Sequence, residues 1–375
     1  METEQRCWSQ EKGWSPTGNL KNAQLVLLFG HPSALKNESL FKEIRQSYPS
    51  AYILSGSTAG EILKSRVYDD SLVATAIWFE SSTLKSIHLK LQDRKDSLSV
   101  GEELAQALDH EGLRHIFILA DGLNVNGTEL VRGMVKHVPE GVKITGGLTG
   151  DGESFNETLV GANQMPENRF AVALGFYGSR LQVNCGSVSG FKPFGPERKV
   201  TRSENNILYE LDGEPALELY KKYLGNHLHD LATQCFYFPL FYQTEKMKNG
   251  IVRTILGVDE KNGSMTFAGD IKQGGSTRLM KTNIDNLVSG AEEAAKLCLK
   301  TESPSPDMAI LMSCVGRKII MKQRVEEEID AIKEVFGPKT ALTGFYSYGE
   351  IAPLENSTSS HLHNQTMSIT TFSEL

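Results

Sequence analysis

Residues 307–351 read DMAILMSCVGRKIIMKQRVEEEIDAIKEVFGPKTALTGFYSYGEI. A short apolar run closed by a polar loop reads as a buried strand; the charged stretch after it has helical spacing, and KTALT returns as a strand into a glycine turn. The same order precedes it twice. AQLVLLFG (23–30), NESLFKEIRQSYP (37–49) and AYILSGSTAGEI (51–62) form one copy, and RHIFILADGLNVNGTELVRGMVKHVPEGVKITGGLTGDG (114–152) forms another, with Leu130, Met134 and Val135 on one helical face. Repeats at this scale mean repeated supersecondary units.

Each copy continues alike. YDDSLV (68–73), FNETLV (155–160) and HNQTMS (363–368) follow the three glycine turns. Each reads as a strand that starts from an Asx or Ser/Thr turn and runs into the core, which predicts three equivalent corners. GSMTFAGDI (263–271) is a fainter echo that could mark a degenerate fourth unit.

Helix-bearing crossovers predict an α/β fold, with repeated strand-helix-strand units forming two mixed-sheet domains and helices packed on the sheets. The expected divisions are an N-terminal extension (1–23), an N-terminal domain (24–200) and a C-terminal domain (207–373). SGFKPFGPERKVTRSEN (190–206) gathers glycine, proline and charge as a boundary and hinge.

A chain of 375 residues with 39% hydrophobic content can build real cores. The net charge of −7 and the lack of a dense Lys/Arg block argue against nucleic-acid binding. No secretory signal and no membrane-length apolar run is evident, so a cytoplasmic protein without membrane insertion is expected. The five cysteines are widely spaced and form no CxxC pair, which points to free thiols.

SGSTAGEI, GGLTGDG, LDGEPALELYKKYLG (211–225), SCVGR and GFYSYGEIAP followed by HNQT resemble, in order, the successive signatures of the FIST family, N-terminal and C-terminal parts together. The resemblance implies a sensory ligand-binding module of signal transduction, with amino-acid-like molecules among the expected ligands. It also implies a more specific version: stand-alone members of NosP type are haem-binding nitric-oxide sensors that regulate a separate histidine kinase. This chain leaves little room for an output domain, so a partner acting in trans, such as a histidine kinase or a cyclic-di-GMP enzyme, is expected.

Ligands of open α/β sheets bind outside the carboxyl ends of the strands. That places Gly60, Glu61, Gly344, Gly349 and Glu350 in a pocket wall, with Tyr346, Tyr348, His363 and Asn364 supplying rings and hydrogen bonds. The simpler reading is glycine for positive φ and glutamate capping a backbone. Cys314 and Arg317 follow a strand end; the arginine could hold a carboxylate or haem propionate, while the thiol is more simply inert. Haem would need an axial ligand, for which His31, His229 and His363 are the candidates. No GxSxG, HExxH or P-loop occurs, so no enzyme is expected; the surviving enzymatic alternative is a thiol reaction on Cys314 with a distant His363.

Overall fold

The computed structural model describes residues 1–225, 231–245, 247–299, 305–355 and 357–375. Each of the three repeats forms a parallel strand pair: Leu25–Gly30 with Tyr52–Ser57, Leu113–Ala120 with Lys143–Leu148, and Met308–Cys314 with Ala341–Ser347. The crossover helices are Glu38–Ser47, Gly127–Val135 and Glu326–Phe336. Asn37 and Asn126 start the first two, their side chains accepting from the amides of the first turn. A third strand then returns antiparallel to the first strand of each pair: Leu72–Trp78, Phe170–Tyr177 and Met367–Glu374.

After each glycine turn the chain leaves its own sheet. Glu61–Leu63 pairs with Ala341–Ser347 of the third unit, Val160–Ala162 with Tyr52–Ser57 of the first, and Gly349–Pro353 with Lys143–Leu148 of the second. Every unit therefore finishes a neighbour's sheet, and the three units close into a ring. At Gly344 the pairing brings the chain so close to its neighbour that a Cβ would lie 1.9 Å from the Leu311 carbonyl oxygen. Only glycine fits there, which explains this residue as packing rather than as ligand contact.

The strands are apolar on both faces because both are covered. Leu25, Leu27 and Phe29 point into a central core shared with Phe117, Leu119, Met308, Ile310, Met312 and Phe345, while Val26 and Leu28 pack outward in a separate cluster. Phe29 and Phe345 bring two units together with ring centroids 4.7 Å apart. Truncating either ring to alanine removes a fully buried aromatic, a change worth about 3–5 kcal/mol.

A fourth sheet, of eight strands, occupies residues 192–281 and is antiparallel throughout. The α/β class with mixed sheets and packed helices stands as expected. Three details differ from expectation. Glu2–Ser9, expected as an extension before the first strand, is itself a strand paired along Leu72–Trp78. The boundary expected at 190–206 is mostly the strand Lys192–Glu204, which absorbs its prolines where the register shifts between Pro193 and Glu197. The echo at 263–271 belongs to an antiparallel hairpin, Ile255–Asp259 with Ser264–Phe267, not to a fourth crossover unit. Among the described residues, no helix is long and apolar enough to cross a membrane.

Candidate ligand pocket

The paired repeats in the sequence have one physical cause. Glu61 is buried in the first corner, accepting from Thr58 Oγ1 at 2.5 Å and from Ser71 Oγ at 2.6 Å. Glu350 repeats this in the third corner, accepting from Ser347 Oγ at 2.6 Å and from Thr366 Oγ1 at 2.9 Å. Ser71 and Thr366 come from the second motif, so each turn's acid is locked by the hydroxyl that opens the following strand. The second unit uses Asp121 instead, which accepts from Thr158 Oγ1 and from the amides of Leu123 and Asn124. Burial pushes the Glu61 carboxyl up to about 8 and the Glu350 carboxyl up to about 7, against the opposing pull of these hydroxyl donors.

The corners meet in a cycle of backbone hydrogen bonds. Ala59 N donates to Tyr346 O at 2.8 Å, Gly150 N to Ser57 O at 3.0 Å and Tyr348 N to Leu148 O at 3.1 Å. Each bond joins two different units. Shape at the ring's centre is therefore fixed by all three.

Between the second and third corners, beneath the antiparallel sheet, lies a pocket of about 120 Å³. Leu123 and Phe155 come from the second unit, Cys314 and Tyr348 from the third, and Phe236 and Thr254 from the 192–281 region and its flanking helix. Tyr348 stacks on Phe155 with centroids 4.6 Å apart, and its phenol is tied to Asp151. Two of the lining residues carry a buried polar atom with no hydrogen-bond partner among the described residues: Asn364 Nδ2 and Thr254 Oγ1. Buried polar groups are nearly always paired, so two such atoms in residues lining one small, otherwise apolar pocket are exceptional.

Of the residues singled out in the sequence, Cys314, Tyr348 and Asn364 thus share one pocket. Glu350 sits behind it, and Gly349 packs on Leu148 and Leu362. Gly60, Glu61 and Tyr346 belong to the other side of the ring, where Lys318 Nζ covers the Tyr346 ring and donates to Ala59 O. The Tyr346 phenol donates to Glu328 at 2.7 Å. Arg317 is fully buried and spent on Glu328 at 2.7 Å, Ser189 O and Leu287 O, so its guanidinium is not free to take a carboxylate or propionate. Burial pushes the Cys314 thiol far above its ordinary range, which keeps it protonated.

The histidines diverge. His31 caps the helix Pro32–Leu35 from an open position, with Nδ1 against Ser33 Oγ at 2.8 Å. His363 is buried with Nε2 against Ala352 O at 3.0 Å, and burial lowers its pKa to about 3, leaving the ring neutral. His229 lies outside the described residues. Thr254, Phe236 and Phe155 were not singled out for this site. Phe155 alone carries a signal, as the aromatic opening the FNETLV repeat, while Thr254 comes from between two strands of the antiparallel sheet and Phe236 from the helix Leu231–Tyr237, whose placement no repeat encodes.

A family model described as FIST N domain matches residues 24–214, and one described as FIST C domain matches residues 216–353. An uncharacterized protein of Methanocaldococcus jannaschii is 25% identical over 234 residues, covering 56% of this chain and 45% of that protein. The chain thus spans less than half the length of that curated relative. Among solved structures, cyanuric acid hydrolase from A. caulinodans aligns over 78% of this chain and 99% of its own at 10% identity, with a TM-score of 0.17, too low to speak for the fold.

Proposed function

The chain belongs to the FIST family, and on that premise we propose that it is a sensory protein whose small ligand sits in the pocket at Asn364. FIST domains are associated with small-ligand sensing in signalling. The observation that carries the reading is that two lining residues of one apolar pocket, Asn364 and Thr254, each hold a buried polar atom, Nδ2 and Oγ1, that is unpartnered among the described residues. Pockets for drug-sized ligands run about 300–1,000 Å³, so about 120 Å³ suits a molecule nearer the size of an amino acid. Asn364 and Thr254 would orient its polar end, and the Tyr348 and Phe155 rings would take its apolar part.

A ligand there touches the second unit, the third unit and the antiparallel sheet at once. Occupancy would favour whichever arrangement of the three closes on it, and that differential contact is what a signalling partner acting in trans, such as a histidine kinase or cyclic-di-GMP enzyme, would read. The reading is non-enzymatic. A thiol reaction on Cys314 loses support from the protonated, buried sulfur.

Haem with nitric oxide, the more specific version the family suggests, finds little footing in the described residues. His31 stands at an open helix cap and His363 spends Nε2 on a carbonyl; neither lines the pocket. An absorption spectrum after haem addition separates the versions. A flat Soret region, together with saturable calorimetric binding of an amino acid, supports the proposal; a stoichiometric Soret band that shifts with nitric oxide replaces it with the haem version.

A further inference from the structure

A second and larger cavity, of about 810 Å³, lies between the helix Gly127–Val135 and the antiparallel sheet. On its wall stands Arg253, which is 2% exposed. Its Nε donates to Asp270 O at 3.4 Å and its Nη1 to Leu362 O at 2.8 Å, with Asn364 Oδ1 at 3.5 Å. Among the described residues, Nη2 has no hydrogen-bond partner, and no carboxylate lies within ion-pair distance of the guanidinium. Arg317, equally buried, shows the ordinary solution: a carboxylate 2.7 Å away. A charge taken out of water without a bonded counter-ion is costly, and here the cost is visible as a pKa lowered to about 10 by burial.

The surroundings favour an anion. Arg132, Lys136 and Lys272 line the same cavity, against the carboxylates Glu245 and Asp270; Arg132 is paired with Glu129 and Lys136 with Glu102 at 2.6 Å, which leaves Lys272 without an ion-pair partner among the described residues. Asp270 attracts Arg253 from a distance, and it accepts from Asn126 Nδ2 at 3.4 Å. His361, also on the wall, is kept neutral by burial and by Arg253, its pKa lowered to about 4. It adds no positive charge to the cavity.

We propose that this cavity binds a small anion, a carboxylate or phosphate compound, with Arg253 Nη2 donating to its oxyanion and Lys272 at the rim. The site is distinct from the pocket at Thr254, which the adjoining residue of the same strand region presents to the other side. Its failure leaves the small-ligand reading intact.

The test is thermal denaturation of the full chain against sodium phosphate and against disodium succinate, each matched in ionic strength with sodium chloride. Saturable stabilisation by phosphate beyond the chloride control assigns a phosphate compound; the same by succinate assigns a carboxylate. Arg253→Lys should abolish the effect. Because that residue is buried and its variant could fail to fold, Lys272→Ala, at an exposed position, should weaken the apparent affinity by roughly two- to fivefold while leaving the unliganded protein folded. Curves for both probes that coincide with chloride overturn the proposal, as does undiminished binding in Lys272→Ala together with a folded Arg253→Lys.

Discussion

Asn364, a lining residue of the small pocket, places Oδ1 3.5 Å from Nη1 of Arg253 on the wall of the larger cavity, while its Nδ2 is buried and unpartnered among the described residues. One side chain thus connects the small pocket to the arginine of the larger cavity. If the arginine holds an anion, its pull on Oδ1 fixes which way Nδ2 points. Binding at the two sites should then be coupled, and by thermodynamic linkage the coupling must be equal in both directions.

Thr254→Val keeps the shape of the side chain and removes an unpaired buried hydroxyl. Such an exchange is nearly neutral or stabilising, so the unliganded variant should keep its melting temperature or gain up to about 1 kcal/mol. Chemical denaturation measures this. A loss of more than about 1 kcal/mol would mean the hydroxyl already has a partner.

The corner glutamates make stability fall with rising pH. Both hold their proton more tightly in the folded chain, with carboxyls pushed up to about 8 at Glu61 and about 7 at Glu350, than unfolded, where Glu titrates near about 4.3. The stability they supply is complete below the unfolded value and is lost as pH climbs through the folded ones. Denaturation curves between about pH 5 and pH 9 should decline, on the order of 3 kcal/mol for each group, and Glu61→Gln with Glu350→Gln should flatten the decline. Parallel losses in wild type and variant would contradict this assignment.

Arg317→Met leaves Glu328 buried without its cation. Breaking a buried pair on one side costs about 3–5 kcal/mol, so the variant should be strongly destabilised. Where it stays folded, its ligand affinity should match wild type, because the guanidinium touches neither pocket. An affinity loss in a folded variant would restore Arg317 as a ligand contact.

Alkylation of the native protein should spare Cys314, Cys235 and Cys298, which are buried, and reach Cys7 and Cys185, which are partly exposed. Mass spectrometry of peptides after iodoacetamide reads this directly. Rapid native labelling of Cys314 would revive a thiol chemistry.

The three strand-helix-strand units were legible because their strands are continuous apolar runs ending in glycine turns, a pattern that depends only on local burial. The tie between the two repeated motifs was half legible: the repeats predicted that turn and strand start lie together, but not that Ser71 and Thr366 hydroxyls hold Glu61 and Glu350. The ring closure was not legible. A strand such as Glu61–Leu63 carries the same apolar pattern whether it pairs with its own sheet or with the third unit, and nothing local distinguishes the two. The antiparallel sheet was misread for a related reason, since GSMTFAGDI spells a turn without the preceding helix that would make it a crossover. Arg253, within NGIVRTIL, did offer a signal: a cation inside an apolar strand must be paired or functional.

The most direct test is thermal denaturation of wild type, Thr254→Val and Asn364→Ala against the proteinogenic amino acids and close analogues. The account predicts that one chemical class raises the wild-type midpoint saturably and that both variants lose the rise while remaining folded. Midpoints that stay flat for every compound, or that rise equally in all three proteins, would contradict a ligand held by Asn364 and Thr254.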